Sequence, residues 1–553
     1  RYISVTGVQT CALPIYPLWG FEPGVGLYVD DVYIARPQAA VLDIFDVSRI
    51  EVLRGPQGTL YGRNTIGGAI KYVTNRIGDD AELKVRGQFG SYNERDVIVS
   101  AKTPLGDHWG VGFAIAKYDH DGYGTNTNTG ADNYNKDMTA ARLSVDFAPT
   151  DDLFFRLSGD WIQDDSNIRN GHREMAPIPS GIYDTAAAES DNEVVTRGVS
   201  LTGQWNYSDT LTFKSITAYR SGHTDGVIDF DSLPAPTLDI PAHYGDHQFS
   251  QEFQALISHD RLNGVIGYYY LSATAEGAFD TVVGNFNLTT LTLGYVDTTS
   301  HAFFADFSYD VTDQLQVSVG GRYTHDEKEG HVFRRQYLGI RSPYFGNAAA
   351  VPLGIRTDYT DTKSWGQFTP RLSVSYKFTP DVTGYASWSK GFKSGGFDMR
   401  GDAVAYPDTV KGYDPETVTS TEVGLKGSLF DHRLSFATDI FLAKYKDQQI
   451  TTQYPSGATV ASVVDNAGES TVKGWEFESS LVITDDLSAN LALGYLDAKF
   501  DKWIAFVPGT GYVDVSNARD FQNAPKWTAN ISATWRDRKI TRLNSSHTDI
   551  SRM

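Results

Sequence analysis

One cysteine, Cys11, stands in 553 residues, which excludes a disulfide within the chain and any metal site built from several thiolates. No run approaches the roughly 18 consecutive apolar residues of a membrane helix, and no secretory leader is visible at the start. Cations are in deficit: 48 Lys and Arg face 68 Asp and Glu, a net charge of −20. A nucleic-acid binder needs a clustered basic face for phosphate, and the chain has none. Methionine is scarce, at 4, whereas Gly reaches 52, Tyr 31, Phe 29 and Trp 10. Aromatics and glycine in this proportion suit strands and turns better than helices. The length fits three or four ordinary domains or one very large β structure.

The two ends differ in texture from what lies between them. "RYISVTGVQTCALPI" (1–15) and "DRKITRLNSSHTDISRM" (537–553) resemble translated sequencing-adapter read-through and are set aside from fold reasoning. The expectation is a native stretch from about Tyr16 to Arg536, cut at both ends. On that reading the missing leader carries no information about location.

From about residue 81 the pattern has period 2. In "LQVSVGGRY", Leu315, Val317, Val319 and Tyr323 share one face; Gln316, Ser318, Gly320 and Arg322 share the other. "RLSVSYKF" (371–378) and "KWTANISATW" (526–535) alternate in the same way. Short polar turns recur, among them "PLGDH" (104–108), "YSDT" (207–210), "VTDQ" (311–314) and "TDD" (484–486). Between neighbouring turns lie two strands and a longer stretch such as "DHDGYGTNTNTGADNYNKD". Tight turns at one end and long loops at the other, over about 18 strands, fit an outer-membrane barrel. Any single strand would suit a soluble sandwich equally well, but an open sheet this wide leaves edges that closure removes. A propeller or solenoid requires a tighter repeat.

"RIEVLRGPQGTLYGRNTIGGAIKYVTN" (49–75) crowds glycines between two β-branched runs. A Walker-type phosphate loop needs Lys and then Ser or Thr directly after its last glycine. Here Gly62 is followed by Arg63 and Asn64. A dinucleotide fingerprint also fails, because "AIKYVT" after Gly68 is a strand and not a helix. The remaining use of glycine is to let backbone pass close to other backbone.

The same stretch carries a resemblance. "VGLYVDDVYIARP…DVSRIEVLRGPQGTLYGRNTIGGAIKYVTN" resembles the C-terminal half of the plug domain of TonB-dependent outer-membrane receptors. "YASWSKGFKSGGFD" (385–398), "PETVTSTEVGLKGSLFDHRLSF" (415–436), "VKGWEFESSLVITDDLSANLALGYLDAKF" (472–500) and "NAPKWTANISATW" (523–535) are similar to its barrel. The resemblance implies an all-β chain: a large antiparallel transmembrane barrel, with about 18 of an expected 22 or so strands present. Part of an N-terminal α+β plug would sit in the lumen. Plug would occupy 16–78 and barrel 79–536. The first half of the plug, its energy-coupling box and about four last strands would be missing, leaving closure of the barrel in doubt.

By the same resemblance, the function is TonB-dependent active import of a scarce nutrient, chiefly a ferric siderophore, across the outer membrane of a Gram-negative bacterium. Cobalamin, a nickel chelate or an oligosaccharide would be alternative cargoes. The implied partners are a TonB-type inner-membrane complex, an extracellular chelate and outer-membrane lipid, with no nucleic acid. No cofactor is implied beyond iron carried as cargo. A passive porin needs no plug, and a soluble β-rich periplasmic enzyme is the remaining contrary reading. No Ser–His–Asp set or nucleophile elbow stands out, so no catalytic residue is named.

In the family the arginine before Gly-Pro meets barrel-wall carboxylates and latches the plug. The matching arginine is Arg54, with Glu51 beside it and Glu422 and Glu476 as barrel partners, both placed by alternation on the lumen face. If buried, such a pair would cost about 3–5 kcal/mol to break; in solvent it would be worth about 0–1 kcal/mol. Arg36 and Gln38 in "YIARPQAA" are ligand candidates at a plug apex, since Arg offers a fork of donors to an anionic chelate. Arg334, Arg335 and Tyr337, with Arg341, are candidates in "HVFRRQYLGIRSPYFGN", expected as an outer loop. His243, His247 and Glu252 read as loop entering strand, so metal ligation is not expected there.

Overall fold

The computed structural model describes residues 19–36, 45–175, 181–456, 459–507 and 509–536. Long antiparallel strands follow one another in a meander from Glu82–Phe89 to Trp527–Trp535, in the order of a closed barrel. Nineteen strands stand in that order. One of them, Gly511–Asp514, is a four-residue arm on the far end of Leu487–Val507. Eighteen are left to run from turn to loop, matching the number expected from alternation.

Burial along these strands is inverted relative to a soluble sheet. On Leu315–Leu338 the apolar Val319 and Tyr323 are exposed, while Ser318, Arg322, Thr324, Asp326 and Lys328 are buried. Strand alternation sends successive side chains to opposite faces. Water-avoiding groups on the outside and polar groups within are what a barrel in lipid requires. At one end every connection is a short turn, such as Leu105 to Trp109 and Thr484 to Leu487, and the long connections, such as that between Lys393 and Glu416, lie at the other. Trp527–Trp535 and Glu82–Phe89 meet at the seam of the closed barrel, and both strands are exposed on both faces.

Inside lies a separate four-stranded sheet: β1 (Val25–Val29), β2 (Val32–Ile34), β3 (Val47–Arg54) and β4 (Gly68–Thr74), in the order β2-β1-β4-β3. β1 and β4 run parallel, and the other pairs are antiparallel. Its residues Tyr28, Tyr33, Ala35 and Ala69 make a buried cluster. No α-helix occurs among its described residues. The helical part of the expected α+β plug, and Gln38, lie outside the described residues or are not seen within them. The stretch between Lys393 and Glu416 also folds inward: Phe397, Asp398 and Met399 are buried, and Phe397 and Met399 pack with Trp19 and Tyr244.

Candidate functional site

The crowded glycines belong to the turn between β3 and β4, which presses against the barrel wall. A Cβ on Gly58 would lie 2.9 Å from the Lys390 carbonyl oxygen. Gly62 has φ +83°, and a Cβ there would lie 2.8 Å from the Arg322 guanidinium. Any side chain would push the turn off the wall. The contact thus made is hydrogen-bonded in both directions. Thr59 Oγ1 donates to the Thr369 carbonyl at 2.9 Å, and Thr369 Oγ1 donates to the Gly58 carbonyl at 2.9 Å. Asn64 N–H donates to the Phe392 carbonyl at 3.0 Å.

That approach inserts Arg63 into a charge cluster sealed from water. Arg63 pairs with Glu22 of the plug and lies 3.5 Å from Asp326 of the wall. Lys328 reaches the other Glu22 oxygen at 3.0 Å, and Asn64 Nδ2 donates to it at 2.9 Å. Ser394, on the infolded stretch, donates its Oγ to Asp326 at 2.8 Å and its N–H to Asn64 Oδ1 at 3.0 Å. The four ionic side chains are each at most 3 % exposed. Two cations offset two anions, which is the condition for charge to persist in a dry site. Burial alone would raise the Glu22 pKa; Arg63, Lys328 and Arg36 overcome it and hold the carboxyl well below its usual range. Burial, and then the Glu22 charge, push the neighbouring Tyr33 hydroxyl up to about 12.

A second clasp lies at the β1–β2 turn. Asp31 meets Lys71 of β4 at 2.5 Å and Lys214 of the barrel at 2.7 Å. Burial opposes ionisation, but Lys214 and Lys71 bring its pKa down to about 2.

Arg54 sits at a wetter place. It pairs with Glu476 and, at 2.6 Å, with Glu478, on side chains 31 %, 11 % and 50 % exposed respectively. The penalty of a fully buried broken pair therefore does not apply to it. Two of the residues expected beside it are engaged elsewhere. Glu422 accepts a hydrogen bond from Tyr385 Oη at 2.5 Å. Glu51 pairs with Arg49 at 2.6 Å and lies 3.9 Å from Lys71, because its position on β3 faces Lys71 of β4 across the ladder. Glu478, two residues along the same strand face as Glu476, takes the second place.

The expected ligand residues are scattered. Arg36, two residues after β2, is buried; its Nη1 lies 3.5 Å from the Phe21 carbonyl, and its Nε and Nη2 have no hydrogen-bond partner. Arg334 is occupied in holding the infolded stretch: its Nη1 donates to the Arg400 carbonyl and its Nε to Thr292 Oγ1 at 3.1 Å. The Arg335 guanidinium lies 5.5 Å from the Phe333 ring centroid. Tyr337 packs with Leu291 and Ala350. The outer loop expected over 331–347 is strand as far as Leu338, because the ladders on both sides run on to that residue, pairing it with Leu288 and Val351. His243, His247 and Glu252 all lie within one strand, Leu238–His259, where residues four apart are separated by about 13 Å. Between the plug and the late barrel strands, a cavity of about 490 Å³ is bordered by Phe21, Arg400, Gln449, Trp503 and Arg519.

Comparison with known proteins follows the same division. The family model of the TonB-dependent receptor-like β-barrel matches residues 140–549, and that of the TonB-dependent receptor plug domain matches residues 2–69. Among curated relatives, the pesticin receptor of Yersinia enterocolitica is 24 % identical over 477 residues, 83 % of this chain and 64 % of its own length. The metal-pseudopaline receptor CntO of Pseudomonas aeruginosa is 23 % identical over 493 residues, 85 % of this chain and 65 % of its own length. The chain thus spans just under two thirds of these relatives. The ferric yersiniabactin uptake receptor FyuA of Yersinia pestis superposes with a TM-score of 0.74 at 20 % identity, over 93 % of this chain and 74 % of that one.

Proposed function

Because this chain belongs to the TonB-dependent receptor family of outer-membrane β-barrels, we propose that it serves active import of a scarce nutrient, a ferric siderophore first among candidates. The observation that carries this reading is a folded sheet filling the lumen and clasped to its wall by buried charge. A passive channel has no use for such an obstruction. The cargo class follows the relatives, whose names refer to pesticin, metal-pseudopaline and ferric yersiniabactin. Iron enters as part of the cargo, with no resident cofactor and no catalytic group assigned.

Energy would come from a TonB-type inner-membrane complex pulling on the plug, and this chain's residues set what such a pull must break. Arg54 exchanges its carboxylates for water at small cost, since its site is already part-solvated. Extracting Arg63 would strand Asp326 and Lys328 in a dry wall at several kcal/mol each. The cheaper path is remodelling that opens the Arg54 side and leaves the Arg63 cluster in place. Chelate capture falls to the cavity between the plug and the late barrel strands, where Arg400 and Arg519 offer donors to an anionic oxygen ligand.

The test is uptake of labelled ferric siderophores, cobalamin and oligosaccharides by cells that depend on the complete receptor. Energy-dependent iron accumulation is the expected outcome. Uptake confined to a glycan or cobalamin would overturn the iron assignment, and equal uptake after de-energisation would overturn active import.

A further inference from the structure

At the long-loop end, the hairpin joining strands Leu211–Asp229 and Leu238–His259 carries three carboxylates on one spot. Asp229 and Asp239 are directly opposite each other in the ladder, and Asp231 lies two residues beyond Asp229. One oxygen of each lies within 4.8 Å of the others. Like charges placed directly across a ladder destabilise it, so this pairing demands an explanation.

Two of the three are held by backbone donors. Asp229 accepts N–H bonds from Asp231 at 3.0 Å, Ser232 at 2.6 Å and Ala188 at 3.0 Å. Asp231 accepts from Leu233 at 3.0 Å and Leu238 at 2.6 Å. The third differs. Asp239 is 3 % exposed, and its Oδ1 is buried with no hydrogen-bond partner. A carboxylate placed out of water without a donor needs a proton or a cation. The Arg173 guanidinium, which donates to the Asp231 main-chain carbonyl at 2.9 Å, is directed to that backbone oxygen and not to Asp239.

We propose that Asp229, Asp231 and Asp239 bind one Ca²⁺ ion that fastens the outer hairpin to the neighbouring loop at Ala188. The donor chemistry selects the ion. All three ligands are hard oxygens with no imidazole or thiolate among them, which suits Ca²⁺ or Mg²⁺ over the later transition metals. Ca²⁺ is the better match of the two, because it accepts an irregular oxygen shell whereas Mg²⁺ demands near-ideal octahedral geometry, and three carboxylates spread over two strands and their turn supply an irregular set. Waters and main-chain carbonyls complete the shell. The ion joins the hairpin to a segment that also meets it through Ser232 Oγ, which donates to the Gly171 carbonyl at 2.8 Å.

The test is equilibrium dialysis of the detergent-solubilised full chain against ⁴⁵Ca²⁺, with thermal unfolding in Ca²⁺ and in chelator. The expected result is one saturable ion per chain, bound at least tenfold more tightly than Mg²⁺, and a higher Tm in Ca²⁺. Asp239→Asn and, separately, Asp231→Asn should each weaken binding at least tenfold and abolish the Ca²⁺-dependent rise in Tm. Asp225→Asn, an acidic change on the same hairpin outside the triad, should alter neither. A wild-type chain that binds no Ca²⁺ saturably overturns the site, whatever the variants do. So does undiminished binding in both triad variants, which would leave a shared proton as the answer to the repulsion. Equal affinity for Mg²⁺ overturns the choice of ion.

Discussion

Arg54 and Arg63 stand nine residues apart on one plug turn, both paired with barrel carboxylates, yet they work under different rules. Arg54 meets Glu476 and Glu478 where water reaches Arg54 and Glu478 freely and Glu476 only at its edge, so the arginine can let go and be rehydrated. Arg63 meets Glu22 and Asp326 where water reaches none of them, and Lys328 completes the neutral set. The same kind of contact is thus a releasable catch in one place and a permanent rivet in the other. What separates them is solvent access, set by how deeply each end of the turn enters the wall.

The comparison breaks most visibly at the rivet. Glu22→Gln removes one of two anions and leaves Arg63 and Lys328 facing each other in a dry site; a loss of about 3–5 kcal/mol is expected. Protease sensitivity of the plug against denaturant would show it, and a change under about 1 kcal/mol would erase the distinction drawn here. Acid is the next lever. Asp31 and Glu22 both titrate lower in the folded plug than in an unfolded chain. Their contribution is therefore complete above the unfolded values of about 4 and is lost as pH falls through the folded ones. For Asp31 the loss runs from its unfolded value of about 4 down to its folded value of about 2. A melting profile flat from pH 7 to about 5 and falling steeply below about 4 is expected. Asp31→Asn should remove part of that acid slope.

Arg54→Ala is the smaller perturbation: about 1 kcal/mol in plug stability, with a larger effect on uptake than on melting, because it acts on release. Hydrogen exchange in β3 and β4 would report it, and a stability loss equal to that of Glu22→Gln would merge the two clasps into one. Smallest of all is Glu422→Gln. It keeps an acceptor for Tyr385 Oη, and its effect should stay under about 0.5 kcal/mol with uptake unchanged.

Much of this was legible in the chain. Val319 and Tyr323 against Ser318 and Arg322 specify the strand period, and the period specifies an apolar face and a polar one. The pairing of Arg54 with Glu476 was readable because the resemblance placed the arginine and alternation placed the carboxylate on the lumen side. Arg63 was in plain view but read only as a departure from a phosphate loop. Nothing local distinguishes a buried arginine from a solvated one, and its partners Glu22 and Asp326 are 41 and 263 residues away. Glu422 and Glu476 looked equivalent by alternation. Register, which alternation does not supply, put Glu478 and not Glu422 beside Glu476 as the second ion-pair partner of Arg54.

Composition and period alone determined an all-β wall with one apolar and one polar face, because side chains alternate every second residue whatever the register. Turn residues alone determined which end bears the loops. Only the tertiary structure decided which charges are dry. Burial depends on how far the Gly58–Gly62 turn sinks into the wall, and that depth is a property of packing between segments hundreds of residues apart. The acidic triad was decided there too, since Asp229 faces Asp239 only once the two strands are in register.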